Sequence, residues 1–245
     1  MAETFRYTLE EEARLIFANV TQKSAPRGYE GRAEPKFSGT FGIGQKDFDN
    51  IVKLEVSAIK SELGTFTKPD DYYLACMSGE TAAKRALQKA EIDARGKTAD
   101  EVFKIKEKAE KRAELYRQYA GILTASSKFD VELAKLENGK IVDIPDNEVA
   151  KAQAGKDLFY PGAWVAPAIA LKGFARKSMD GKDGVTAYLQ NVLFVRKGER
   201  LGGSGPANQD VFGGFKGYSP EDPTAMAPDG ETKSEDFESD LAGGF

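Results

Sequence analysis

Histidine is absent from the 245 residues, and cysteine occurs once, at Cys76. The first absence excludes Ser-His-Asp and Cys-His catalysis, a histidine general base and zinc sites with histidine ligands. A single thiol makes neither an internal disulfide nor a multi-cysteine zinc or iron–sulfur centre. Long apolar runs are also missing, since no stretch approaches the roughly 20 residues a membrane helix needs. Met1-Ala2-Glu3-Thr4-Phe5 lacks a basic-then-apolar leader pattern. With the lone thiol, this predicts a cytosolic protein without a membrane partner. The remaining options are carboxylate or lysine chemistry, carboxylate–Mg²⁺ chemistry, or binding without catalysis.

The motifs of nucleotide chemistry are missing as well. Gly39-Thr40-Phe41-Gly42-Ile43-Gly44 follows a strand but is not a GxGxxG loop, and no GxxxxGK[ST] occurs. Asp47 and Asp49 precede a helical pattern and read as caps, with Asp47 as the N-cap. Asp70 and Asp71 follow Pro69 in a turn, and Asp143 and Asp146 flank Pro145 in a loop. Cys76 lies in an apolar run and reads as a core residue. No catalytic residue, metal or cofactor is expected.

Net charge is −4, which argues against a polyanionic partner only if it is evenly spread. It is not. Residues 219–245 hold eight acids (Glu221, Asp222, Asp229, Glu231, Glu235, Asp236, Glu238 and Asp240) against one base, Lys233. That is −7, so residues 1–218 carry +3. Like charge, Pro220, Pro223, Pro228 and few apolar residues predict a disordered tail. Seven glycines between Gly198 and Gly217 predict a flexible arm before it. The expected organisation is a folded body over 1–200, a Gly-rich arm over 201–218 and an acidic tail over 219–245.

The body is expected to be mainly β with helical insertions, an α+β fold. Ala13 to Val20 is rich in β-formers, and Lys36 to Gly44 alternates, with Phe37, Gly39, Phe41 and Ile43 on one face. Val52, Val56, Ile59 and Leu63 predict a helix ended by Gly64, and Tyr72 to Met77 a short strand. Residues 80–120 are helical, broken at Gly96. Their apolar stripe is Val102, Ile105, Ala109, Ala113, Tyr116 and Ala120. Such a charged helix reads as a solvated face packed on the body, not as a binding element. Ile122 to Phe129 and Val131 to Leu136 are expected to be extended, with a turn at Asn138-Gly139.

Trp164 to Arg176 and Val185 to Lys197 predict a hairpin. Alternation puts Val165, Pro167, Ile169 and Leu171 in the core, with Val185, Leu189, Leu193 and Val195 from the second strand. The other face shows Trp164, Ala166, Ala168, Ala170, Lys172, Phe174 and Arg176, with Tyr188, Gln190, Val192, Phe194 and Arg196. Flat aromatics offer stacking surfaces to bases. Lys172, Arg176, Lys177, Arg196, Lys197 and Arg200 offer contacts to phosphates. This is the footprint expected of a single-strand nucleic-acid groove, although aromatics on a strand also pack under neighbouring elements.

Three segments carry a family resemblance: Phe159-Tyr160-Pro161-Gly162-Ala163-Trp164-Val165, Gly184 to Val192, and Val195 to Gly203. They resemble the C-terminal strand pair of tailed-bacteriophage single-stranded DNA-binding proteins. Lys36-Phe37-Ser38-Gly39-Thr40-Phe41 followed by a helix is similar to that family's opening. The resemblance covers roughly residues 13–212. It implies an OB-like β-barrel with helices and non-specific single-stranded DNA binding in phage replication or recombination, in the host cytoplasm. It adds Tyr160 and Phe41 to the candidate DNA-binding residues. The tail, with Asp236, Phe237, Glu238, Asp240, Leu241 and terminal Phe245, resembles the acidic tails of bacterial and phage single-strand binders. That likeness implies replication partners such as a polymerase, primase or helicase; self-association along DNA is a further expectation. The rival readings are a strand-annealing mediator, a carboxylate–Mg²⁺ nuclease and a virion structural protein.

Overall fold

The computed structural model describes residues 3–25, 34–176 and 181–201. These residues belong to one unit, Met1–Gly202; the second unit, Gly203–Phe245, lies outside the described residues. So do the Gly-rich arm beyond Leu201, the acidic tail and Lys177.

In chain order the strands are β1 (Thr4–Thr8), β2 (Ala13–Ser24), β3 (Lys36–Ile43), β4 (Cys76–Ser78), β5 (Gly121–Ser127), β6 (Glu132–Glu137), β7 (Lys140–Asp143), β8 (Trp164–Phe174) and β9 (Gly184–Arg196). The helices are α1 (Gln45–Leu63), α2 (Gly79–Asp93), α3 (Ala99–Arg117) and α4 (Glu148–Asp157). The fold is therefore α+β, with one nine-stranded mixed sheet among the described residues.

Five strands close on themselves. β8 pairs with β2 through Arg14↔Trp164, and β2 with β3. β3 pairs with β5, β5 meets β9 in parallel at Ser126↔Tyr188, and β9 returns antiparallel to β8. This is the partly open five-stranded arrangement of an OB-type barrel. It is not a clean barrel. The β5–β9 seam is a single residue pair, while β1 extends the sheet along β8 and the β6–β7 hairpin extends it along β9.

Leu15, Phe41, Leu123, Ile169, Leu171 and Leu189 fill the ring and are fully buried. Each such side chain contributes roughly 1.5–3 kcal/mol of transfer free energy. α1 packs against β8 so closely that a Cβ on Gly173 would lie 2.3 Å from the Ala58 carbonyl oxygen. Gly64, at φ 76°, ends α1. α2 and α3 form a hairpin capped by Ser78 and by the reciprocal Thr98–Glu101 box. Its buried Ala82, Ala83, Ala113 and Tyr116 cover Ile16 of β2 and Ile122 of β5, on the outer side of the barrel.

Three expectations are corrected. Gly44, not Asp47, caps α1. Asp47 is wholly buried one turn inside, where it accepts hydrogen bonds from the Tyr7 hydroxyl (2.6 Å) and the Glu10 and Glu11 amides (3.0 and 3.1 Å). It thus ties the β1–β2 turn to the helix. Second, the pairing of β8 with β9 steps from Ala168↔Asn191 to Ile169↔Leu189, leaving Gln190 as an extra residue. Such a bulge inverts the facing of the residues that follow, until a second shift between Val165↔Phe194 and Trp164↔Arg196 returns Arg196 to the Trp164 side. Val192 and Phe194 therefore point into the core, and Leu193 and Val195 are only partly buried. Third, β1, β7 and α4 are elements beyond those expected, although the alternation of Thr4-Phe5-Arg6-Tyr7-Thr8 does mark β1.

Candidate nucleic-acid interface

The ladders place side chains in rows across the outer face of β2, β3 and β5. One row runs Phe17–Thr40–Thr124. The next runs Asn19–Ser38–Ser126–Tyr188–Ala170–Arg6, crossing from β2 to β1. The middle of both rows is small and polar, and each row holds a large exposed aromatic, Phe17 at 40% and Tyr188 at 45% exposure. Beyond Thr40 the face is closed: a Cβ on Gly42 would strike the Tyr119 ring at 2.6 Å. The α2–α3 hairpin thus bounds the open part of the face.

Cations surround this open part. Lys36, Ser38, Asn19, Ser126, Glu34 and Lys128 line a groove of about 480 Å³. Lys128 pairs with Glu34, and this contact holds the Glu34 carboxyl below its ordinary range. The Arg112 guanidinium of α3 lies 4.9 Å over the Phe17 ring. Phe129, just past β5, is 83% exposed. Small polar floors, flat aromatics and neighbouring cations suit a strand that presents unstacked bases and phosphates.

The expected residues fall into two groups, near the two ends of the β8–β9 hairpin. At one end Trp164 is flanked by Arg14 from β2 and Arg196 from β9, at 5.0 and 4.5 Å from its ring. Arg196 also pairs with Glu12 at 2.7 Å. Lys197 and Arg200 are exposed nearby in sequence. At the other end lie Lys172, opposite Thr4 and Thr186, and Phe174, opposite Gly184. The Arg176 amide there donates to Asp183, and Tyr188 follows two residues beyond Thr186. Eight residues of strand, about 26 Å, separate Trp164 from Lys172.

Three expected contacts are corrected by burial. Phe41 is enclosed in the barrel with no exposed surface. Phe194 is turned inward by the Gln190 bulge and meets Phe159 edge-on, with ring centroids 6.2 Å apart. Tyr160 is 6% exposed; its hydroxyl donates to the Gly198 carbonyl (2.9 Å) and accepts from the Gly198 amide (3.2 Å). Arg200 lies 4.1 Å over the Tyr160 ring and donates to the Lys156 carbonyl. The Leu201 amide donates to the Pro161 carbonyl, and Arg14 donates to that of Glu199. A Cβ on Gly162 (φ 106°) would sit 1.9 Å from the Glu199 oxygen. The segments 159–165 and 195–203 are therefore two halves of one clasp.

Sequence reasoning missed Arg14, Phe17, Lys36, Arg112, Lys128 and Phe129. The usable signal was the small-polar alternation Ser38–Thr40 and Thr124–Ser126, bracketed by lysines. It carries meaning only once β3 and β5 are known to be neighbours. Among the described residues, no group of three or more Cys, Asp or Glu side chains could hold a metal ion. No helix there is long and apolar enough to cross a membrane.

The model of a protein family described as the ssDNA-binding protein of Enterobacter phage Enc34 matches residues 8–223, and the chain belongs to that family. A search of curated proteins finds no match. Among solved structures, the single-stranded DNA-binding protein of bacteriophage Enc34 in a C-terminal truncation is 12% identical with a TM-score of 0.48, covering 81% of this chain and 88% of that one. The same bacteriophage protein in complex with ssDNA is 13% identical with a TM-score of 0.47, covering 81% and 89%. The bacteriophage T7 single-stranded DNA-binding protein gp2.5 is 11% identical with a TM-score of 0.43, covering 95% and 100%.

Proposed function

We propose that the protein binds single-stranded DNA without reading its sequence and serves phage DNA replication or recombination. The observation that carries this reading is the outer face of β2, β3 and β5. Small polar rows there carry exposed Phe17 and, next to Ser126, exposed Tyr188 of β9, with Lys36, Lys128 and Arg112 beside them. Membership of a phage ssDNA-binding family supports it. Bases stack on Phe17, Tyr188 and Phe129, at roughly 1–3 kcal/mol per base. Trp164 with Arg14 and Arg196 forms a second aromatic–cation station. Lys172, Phe174, Arg176, Lys197 and Arg200 flank the path as further contacts, and Lys177, outside the described residues, joins them on the sequence alone.

The action is capture and protection, and no covalent step belongs to it. The body spans 1–200, the arm 201–218 gives reach, and the tail 219–245 recruits replication proteins. In the tail, acids including Asp236, Glu238 and Asp240 surround Phe237, Leu241 and Phe245 as apolar anchors for a basic pocket.

The test is affinity for single- and double-stranded oligonucleotides of matched length at two salt concentrations. Binding that prefers the single strand and weakens steeply with salt is expected. Equal affinity for both forms, or none for either, overturns the reading.

A further inference from the structure

The α2–α3 hairpin is more than a packed lid. Residues 79–120 contain eleven bases and eight acids, so this insertion alone accounts for the +3 of the body. On α3 the charges are sorted. At 100° per residue, Lys104, Lys108 and Arg112 fall on one line at i, i+4 and i+8, while Glu107, Glu110 and Glu114 fall beyond the other side of the buried stripe. Lys111 is paired with Glu107 at 2.7 Å, and Glu101 is held by the Thr98 box and Lys97. Among the described residues, Lys104, Lys108 and Arg112 form no ion pair with a carboxylate.

This line is joined to the barrel. Arg112, at its inner end, lies over exposed Phe17 in the first row of the outer face. Lys108 and Lys104 follow outward, at about 6 Å per step and about 12 Å in all. A solvated helix face gains nothing from such sorting, whereas a polyanion does: a row of cations that form no ion pair lowers its potential along a line, even with Glu107 feeling the Lys108 charge and Glu101 at the outer end engaged by Thr98 and Lys97.

We propose that Lys104, Lys108 and Arg112 form a phosphate track on α3. A single strand leaving the barrel at Phe17 follows this track, and the bound length exceeds that of the barrel alone. The inference rests on the binding function proposed above. Its ligand is the sugar–phosphate backbone of single-stranded nucleic acid, engaged without base readout.

The test uses the full chain with Lys104→Gln and Lys108→Gln together, changes that keep helix propensity. Affinity for oligo-dT of about 8 and about 24 nucleotides is measured across a salt series. On the longer strand, the log–log salt slope should fall by about 1.4, at about 0.7 per lost phosphate contact, with no change on the shorter. Lys89→Gln with Lys106→Gln removes the same charge from the same hairpin off the line, and should leave both slopes intact. Equal effects of the two pairs, equal effects on both strand lengths, or no effect overturn the track. An unaltered chain that fails to prefer single strands overturns the underlying function instead, so the two failures are distinguishable.

Discussion

Gly162 shows how one residue holds a functional edge in place. Its φ of 106° and the Glu199 oxygen 1.9 Å from a would-be Cβ leave no room for a side chain. Gly162→Ala should cost roughly 1–3 kcal/mol and loosen the clasp that positions Arg14 beside Trp164. A urea midpoint reads the cost, and Trp164 emission reads the loosening. Glu55 tests the core. It is buried in α1, its Oε1 accepts the Ala75 and Cys76 amides at 2.7 and 2.9 Å, and its Oε2 has no hydrogen-bond partner among the described residues. Burial pushes its carboxyl up to about 8, against the pull of those two amides, and burial first, then Glu55, raises the Cys76 thiol. Between its ordinary value near 4.5 and about 8, the folded chain holds a proton that the unfolded chain has released. Stability must therefore fall as pH rises through that window. Thermal melts should drop from pH 5 to pH 8, and Glu55→Gln should flatten this fall. An equal slope in the variant would assign the pH dependence to other groups.

Periodic elements could be read directly, because each announced its own buried face. β2, β3, α1, α3 and the β8–β9 pair lie where alternation or helical spacing puts them, and Gly96 does split the helical segment. β7 could not be read, because its four residues are all exposed. β1 does alternate, with Phe5 and Tyr7 half-buried between exposed Thr4, Arg6 and Thr8, but five residues make a short signal. Asp47 was misplaced because its partners Tyr7, Glu10 and Glu11 lie about 40 positions away in sequence. Phe194 was misplaced because nothing local distinguishes Gln190 as a bulge. The expected aromatic–cation hairpin does hold Trp164 with Arg196 and Tyr188 near Lys172, yet the face of β2, β3 and β5 emerges only from closure of the ring. That assignment has a mutational signature. Phe17→Ala and Tyr188→Ala should each weaken oligo-dT binding by roughly 1–3 kcal/mol with little effect on melting. Phe194→Ala should lower stability by roughly 3–5 kcal/mol. The reverse pattern, with affinity tracking Phe194, would move the DNA path elsewhere.

At the scale of the whole molecule, overall acidity hides two opposed charges, a +3 body and a −7 tail. If the tail competes with DNA for the body's cations, deleting residues 219–245 should keep or raise affinity for oligo-dT, most visibly at low salt. A clear loss of affinity would contradict that competition. The barrel, the clasp and the helical hairpin then divide the work. The barrel offers its outer face, the clasp fixes Trp164 and its arginines at one end, and the hairpin bounds the face beyond Thr40. The most direct measurement is photocrosslinking of the full chain to halogenated oligo-dU, with the crosslinked residues mapped by mass spectrometry. The account places crosslinks at Phe17, Tyr188 and Phe129. Crosslinks confined to the β6–β7 hairpin or to α1, with none on the face of β2, β3 and β5, would contradict it.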